Sequence, residues 1–210
     1  MKHFTVLFFL FFSSLFPKSL SDSLAQYHPL EKGNQWIYRT IVSNYPQPPS
    51  ISFFIKEVKG DTLLKGMLYK KIDRRDLTGK HIGFSFETFD TVTGNYIKYA
   101  QTPQVEDSTF TVSPNTVFGQ FRNRKLVSVT TDSMFGVKRL TREVMINNVV
   151  SENDWGWRYM YGLGLVDEYI KPVGPGPLFS GSYTVLLYAK INGKEYGNNL
   201  MLITDSLSLY

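Results

Sequence analysis

Apolar and polar residues alternate with a period of two along most of the chain after residue 35. Ile51, Phe53 and Ile55 fall on one side of a run whose other side carries Ser52, Phe54 and Lys56. Tyr183, Val185, Leu187, Ala189 and Ile191 share a face, opposite Thr184, Leu186, Tyr188 and Lys190. Lys138, Leu140, Arg142, Val144 and Ile146 form a third, mixed face. This spacing sends successive side chains to opposite sides of a half-buried strand. The nearest approach to a helical window is Leu63 to Tyr69, and Gly66 in its middle argues against it. Glycine-centred turns separate the runs at Lys59-Gly60-Asp61, Thr78-Gly79-Lys80, Thr93-Gly94-Asn95 and Asn192-Gly193-Lys194. Each permits the positive φ of a tight hairpin, and Asn-Gly is the strongest such signal. The pattern predicts an antiparallel meander with loops at Tyr45–Pro49, Gln101–Thr109 and Pro172–Pro177.

The N-terminal stretch follows a different rule. Met1-Lys2-His3 is a short positive region, and Phe4 to Phe16 is nearly all Phe and Leu. Ser23-Leu24-Ala25 supplies small residues for cleavage before Gln26, with Ser19-Leu20-Ser21 as a second cleavage candidate. The apolar run is shorter than the ~20 residues that span a bilayer, so residues 1–25 are expected to be a cleaved signal peptide. The remaining residues, 26–210, are expected to be one β domain, exported to the periplasm or the cell exterior and without a stable membrane span. The chain has no cysteine, hence no disulfide staple and no N-terminal Cys for lipid attachment, so a lipoprotein is not expected. Burial alone must hold the fold, and 10 Phe, 13 Tyr and 3 Trp in residues 26–210 can supply it.

Charge excludes one class of partner. Residues 26–210 carry 21 basic and 17 acidic side chains. The densest basic cluster, Lys70 to Asp76, holds its own carboxylates and reads as a solvated strand end. A nucleic-acid surface needs a basic face with few compensating acids, so none is expected. His28 and His81 stand far apart without a partner motif and read as surface histidines. No metal, nucleotide or other cofactor motif is present, and the balance is against an enzyme. The sharpest enzymatic alternative is a carbohydrate-active hydrolase using Asp154, Asp167 and Glu168 beside Trp155 and Trp157. Asp167 and Glu168 are otherwise expected at a strand end near solvent, after a bend made by Gly162 and Gly164.

Four segments occur in a set order: YHPLEKGNQWIYR (27–39), DTLLKGMLYKKI (61–72), DTVTGNYIKY (90–99) and YGLGLVDEY (161–169), followed by INGKEYG (191–197). The set resembles a group of poorly characterised secreted proteins of the Bacteroidetes–Ignavibacteria kind. These open with YPL-x-x-GN-x-W-x-Y and close with G-x-G-L-V. The resemblance implies an exported all-β protein and no particular activity. Many members carry a C-terminal sorting domain, and none is expected after the last motif here.

The expected fold is all-β with little helix: a curved antiparallel meander sheet or half-open barrel, with a two-sheet sandwich as the alternative. The candidate ligand face comprises Trp36, Tyr38, Phe84, Phe86, Trp157 and Tyr161. The expected role is a non-catalytic binding or interaction module, taking an apolar small molecule or an envelope protein on that face. A structural β-domain of a surface assembly is the second alternative.

Overall fold

Among the described residues the alternating runs form thirteen strands, all in one antiparallel sheet. The computed structural model describes residues 25–44, 46–64, 66–90, 95–99, 109–112, 117–118, 122–148, 153–172 and 180–198. The first arm of the sheet contains β1 (Gln35–Asn44), β2 (Ser50–Leu64), β3 (Met67–Arg75), β4 (His81–Asp90), β5 (Asn95–Tyr99) and β6 (Thr109–Val112). The second arm contains β7 (Val117–Phe118), β8 (Arg122–Met134), β9 (Val137–Asn148), β10 (Asn153–Met160), β11 (Gly164–Pro172) and β12 (Ser180–Ile191). The last strand, β13 (Lys194–Gly197), pairs with the end of β12. Within each arm, neighbours in sequence are neighbours in space. The arms join where β1 pairs with β12, giving the order β6-β5-β4-β3-β2-β1-β12-β11-β10-β9-β8-β7. The sheet is not closed, and the two-sheet sandwich is not formed. Among the described residues no helix is long and apolar enough to cross a membrane.

The curvature has a direct measure. Seven strand steps separate β5 from β10 in the sheet order, about 34 Å if the sheet were flat at ~4.8 Å per step. Yet the His28 ring lies 4.1 Å from the ring of Tyr96 on β5 and 4.8 Å from that of Tyr159 on β10. The two arms therefore wrap around the segment that precedes β1. Bulges assist the bend, with register shifts at Ile37/Tyr38, Val58/Gly60, Leu126/Ser128 and Arg158/Tyr159.

The concave face holds the main core: Trp36, Tyr38, Phe54, Val58, Ile72, Leu163 and Leu186, with Leu30 and Phe135 packed at its margin. The convex face is also buried in part. Ile37, Ile55 and Tyr188 cluster there under Leu77 from the β3–β4 loop.

One turn expectation is corrected, and one turn went unread in the sequence. Lys59-Gly60-Asp61 is no hairpin, because β2 runs straight through it to Leu64. Gly60, at φ 148°, is the site of a bulge, and the chain turns later, with Gly66 at φ 79° just before β3. A bulge and a turn draw on the same glycine chemistry, so composition alone does not separate them. The β8–β9 hairpin turns at Phe135-Gly136, with φ of 54° and 75°. Phe135 has no sequence signal for positive φ, and its ring is held there by packing against the core. The Asn192-Gly193 turn is found as expected, with φ of 51° and 79°. Thr93-Gly94 and most of the two loops expected at Gln101–Thr109 and Pro172–Pro177 lie outside the described residues.

Candidate functional site

The site follows from strand parity. On β1, Trp36 and Tyr38 point into the concavity, and their cross-strand partners on β2 are Lys56 and Phe54. On β10, Trp157 and Tyr159 point inward, and Trp157 is directly opposite Glu168 of β11. Glu87 of β4 joins them, because it lies opposite Lys70, in line with inward-facing Ile72 and Arg74. The curl brings Trp36, Tyr38, Lys56, Glu87, Trp157 and Glu168 around one cavity of about 110 Å³. Sequence alternation sets Ile51, Phe53 and Ile55 on one face and leaves Lys56 on the other with Phe54, the face that the curl turns inward. The chemistry of a lysine on that face is what sequence reading passed over.

The rings are anchored through their polar atoms. Trp36 Nε1–H donates to the Leu163 carbonyl at 2.7 Å, and the Tyr38 hydroxyl donates to the Leu165 carbonyl at 3.0 Å. Both bonds reach from β1 past β12 to the β10–β11 hairpin. Burial first, and then the nearby Glu87, Tyr159 and Glu168, push the Tyr38 hydroxyl well above the ordinary tyrosine pKa. The Lys56 ammonium lies 5.7 Å from the Tyr38 ring centre, and the Arg74 guanidinium 4.0 Å from that of Phe54. Burial lowers the pKa of Arg74, and Glu168 partly opposes that shift. The Tyr96 hydroxyl donates to the Glu87 carboxylate.

The segment before β1 crosses this interior. Tyr27 stands edge-on to Tyr161 at 5.6 Å, with the Arg142 guanidinium 5.3 Å from its ring centre. His28 stacks on Tyr96 and Phe89. It is therefore not the surface histidine expected from sequence, whereas His81 is exposed and bonded to Asp73 at 2.7 Å. The Gly162 N–H donates to the Gln26 carbonyl at 2.7 Å, and Asn34 Nδ2 donates to the Pro29 carbonyl at 3.0 Å. Asn34 is buried. Its Nδ2 also reaches Glu31 Oε2, and its Oδ1 accepts the Asn192 N–H at 2.8 Å. Gly33-Asn34 therefore does more than start a strand: it ties the N-terminal segment to the β12–β13 turn. A second space, of about 490 Å³, also borders this segment and is lined in part by His28, Pro29, Lys70, Phe89 and Lys194.

Four of the six candidate residues meet here. Trp36, Tyr38 and Trp157 line the cavity, and Tyr161 packs beside Trp157 and Tyr159 through Tyr27. Phe84 and Phe86 do not. They pair with Asp73 and Lys71, one position out of phase with Ile72 and Arg74, so they occupy the convex face. There Phe86 packs with Tyr69 and Tyr99, while Phe84 is 46 % exposed beneath the Lys71 ammonium. Both phenylalanines alternate correctly with polar residues, but alternation does not say which face is concave.

The acidic residues after the glycine pair are also placed differently from expectation. The hairpin turns at residues 161–163, so Asp167 and Glu168 are mid-strand and point to opposite faces. Asp167 is 1 % exposed on the convex face, where Arg158 Nε donates to it at 2.7 Å. Glu168 faces the cavity. The side chain of Asp154 lies outside the described residues. Among the described residues, no group of three or more His, Asp or Glu side chains is placed to hold a metal ion.

No protein-family model matches the chain, and no curated protein is significantly similar to it. Two crystal structures are similar in part. One is a candidate exported protein with a YmcC-like fold from Bacteroides fragilis, with 13 % identity, 75 % of this chain and 95 % of that chain covered, and a TM-score of 0.43. The other is a candidate lipoprotein from Parabacteroides distasonis, with 12 % identity, 76 % and 96 % covered, and a TM-score of 0.36.

Proposed function

We propose that this protein is an exported, non-catalytic binding module whose ligand occupies the inner face of the curled sheet. Export rests on the apolar run from Phe4 to Phe16 and the small residues before Gln26. Binding rests on one observation: aromatic rings from both arms converge on a cavity that also admits Lys56, Glu87 and Glu168. Preferred ligand sites combine aromatic walls with a few convergent polar groups in this way. The charged lining favours a ligand with polar groups over a purely apolar one, because burying unmatched charge against hydrocarbon is costly.

The hydrolase alternative built on Asp154, Asp167 and Glu168 loses Asp167, which is turned away and held by Arg158. The carboxyls that share the cavity are Glu87 and Glu168, and the Glu87 carboxylate already accepts the Tyr96 hydroxyl. The structural-module alternative draws on exposed apolar positions away from the cavity, such as the Leu63–Leu68 cross-strand pair.

Native mass spectrometry of protein recovered from its own cells tests the binding reading. The expected result is a small added mass, lost on denaturation and reduced by Glu168→Gln and Trp157→Phe. A bare polypeptide mass, unchanged in both variants and after incubation with an envelope extract, sinks it.

A further inference from the structure

The β2–β3 hairpin outruns the sheet that carries it. β1 begins at Gln35, opposite Glu57, and the residues just before it, Gly33 and Asn34, bond to Val58. On the other side, the pairing of β3 with β4 runs only as far as Lys70 and Glu87. Residues 60–64 and 67–69 therefore pair with each other and, among the described residues, with no other strand. Tyr69 seats the base of this ribbon against Phe86 and Tyr99. The tip is apolar and open: Leu63 is 69 % exposed, Leu68 54 % and Met67 45 %.

Single exposed leucines are ordinary, but these are gathered at one point. Leu63 and Leu68 are cross-strand partners on one face of the ribbon, and Met67 pairs with half-buried Leu64 on the other. A protein partner covers one face of a ribbon, whereas a tip that is apolar on both faces suits a medium that surrounds it. The next level back on the Leu63–Leu68 face is charged, with the Lys70 ammonium bonded to Asp61. About 7 Å of strand separates the two levels, within the ~5–10 Å to which interfacial helices sink into a bilayer. Residues 59–71 carry four lysines against one aspartate, so the collar behind the tip is positive. Lysine stems lie along an apolar surface while their ammonium groups reach outward, and anionic headgroups attract them.

We propose that the β2–β3 tip is a membrane anchor: Leu63, Met67 and Leu68 enter the outer layer of an anionic phospholipid bilayer, and the lysines of residues 59–71 meet its headgroups. This goes beyond the binding reading above and does not depend on the cavity. Contact is reversible, because so small a tip buries far less apolar surface than a spanning segment. β1 starts and β12 ends at the same end of the sheet as the tip. The anchored molecule therefore turns its other end, where β2 starts at Ser50, toward solvent.

The chain has no cysteine, so Met67→Cys takes a single environment-sensitive NBD dye at the tip, and Ile51→Cys takes one near the far end of the same strand. Ile51 is a matched control, being apolar and 60 % exposed. Each labelled protein is titrated with phosphatidylcholine vesicles, with and without phosphatidylglycerol. At position 67 the expected result is a rise and blue shift of emission with the phosphatidylglycerol vesicles, quenched by a doxyl group on the lipid acyl chain. The response to phosphatidylcholine alone is weaker, and position 51 does not respond. Leu63→Ser and Leu68→Ser, both at exposed positions, together weaken vesicle binding by at least about tenfold, since burying one leucine is already worth that factor. The apolar run from Phe4 to Phe16, where retained, is common to all these proteins, and the dye at 67 reads the tip itself. An unchanged signal at 67, an equal change at 51, no preference for the anionic vesicles, or an unaltered response in the serine variant overturns the proposal. So does a change at 67 that grows with protein concentration without lipid, which makes the occupant a second copy of the chain.

Discussion

Gly156→Ala is a one-methyl change with a sign that ordinary strand rules get wrong. Gly156 lies mid-strand in β10, directly opposite Tyr169 of β11, and the Tyr169 ring lies across it. An alanine methyl there would approach Tyr169 Cε1 to 2.6 Å and the ring carbon bearing the hydroxyl more closely still. The ring must swing away. Its hydroxyl then loses the bond it donates to Glu143 Oε1, now 2.8 Å long. Overpacking costs about 1–3 kcal/mol. Loss of a hydrogen bond to a charged group costs about 1.5–3 kcal/mol more. Against these, replacing glycine at an ordinary φ gains only ~0.4–1 kcal/mol through the unfolded chain. The net expectation is a loss of about 2–4 kcal/mol, which lowers Tm by roughly 6–12 °C for a domain of this size. Urea denaturation of Gly156→Ala, Tyr169→Ala and the double variant forms a cycle in which the two costs overlap strongly. A Gly156→Ala protein as stable as its parent would refute the reasoning, as would strictly additive costs.

Three other outcomes follow from the same contacts. Asn34→Asp removes both Nδ2 donors and sets a carboxylate against Glu31, so it should destabilise by about 2–4 kcal/mol, more than Asn34→Ser, in chemical denaturation. Arg158→Ala strands the buried Asp167 and should cost about 2–4 kcal/mol, reduced from the fully buried case because Arg158 is 41 % exposed, and Asp167→Asn in the same chain should recover part of it. Burial first, and then the bond to Glu143, raise the Tyr169 hydroxyl from 10.0 to about 12. A raised folded pKa stabilises while the group is protonated, so this contribution is intact below pH 10 and is lost as pH rises toward about 12. Ultraviolet titration should show Tyr169 ionising late, as Tyr38 also does, and Gly156→Ala should remove the Tyr169 step while leaving that of Tyr38.

The strands were legible because period-two alternation is a local property. Tyr183–Ile191 and Ile51–Ile55 are seen in sequence much as they are seen in β12 and β2. Which face turns inward is a property of the whole sheet, and this is why Phe84 and Phe86 lie on the opposite face from Trp36, Tyr38 and Trp157. The same limit hid Glu87, whose inward position depends on register across three strands. Asp167 was read as solvent-facing because acids usually are, and its partner Arg158 lies across a bulged hairpin pair. His28 had no neighbour in sequence to suggest a stack, since Tyr96 and Tyr159 come from opposite arms.

The β1–β12 seam also sets a timetable. β1 is made early and β12 late, yet Trp36 and Ala189 are direct cross-strand partners. The first arm can zip from hairpin to hairpin as it emerges, but β1 keeps one edge unsatisfied until most of the chain has been delivered. Pairing across so long a loop is slow, because the entropy of closure is spent before any contact returns it. On the proposed export route the chain would cross a membrane unfolded, and this lag would serve it. The half that arrives first cannot complete its core until the half that arrives last supplies Leu186 and Ala189, so premature closure is forbidden by the topology itself.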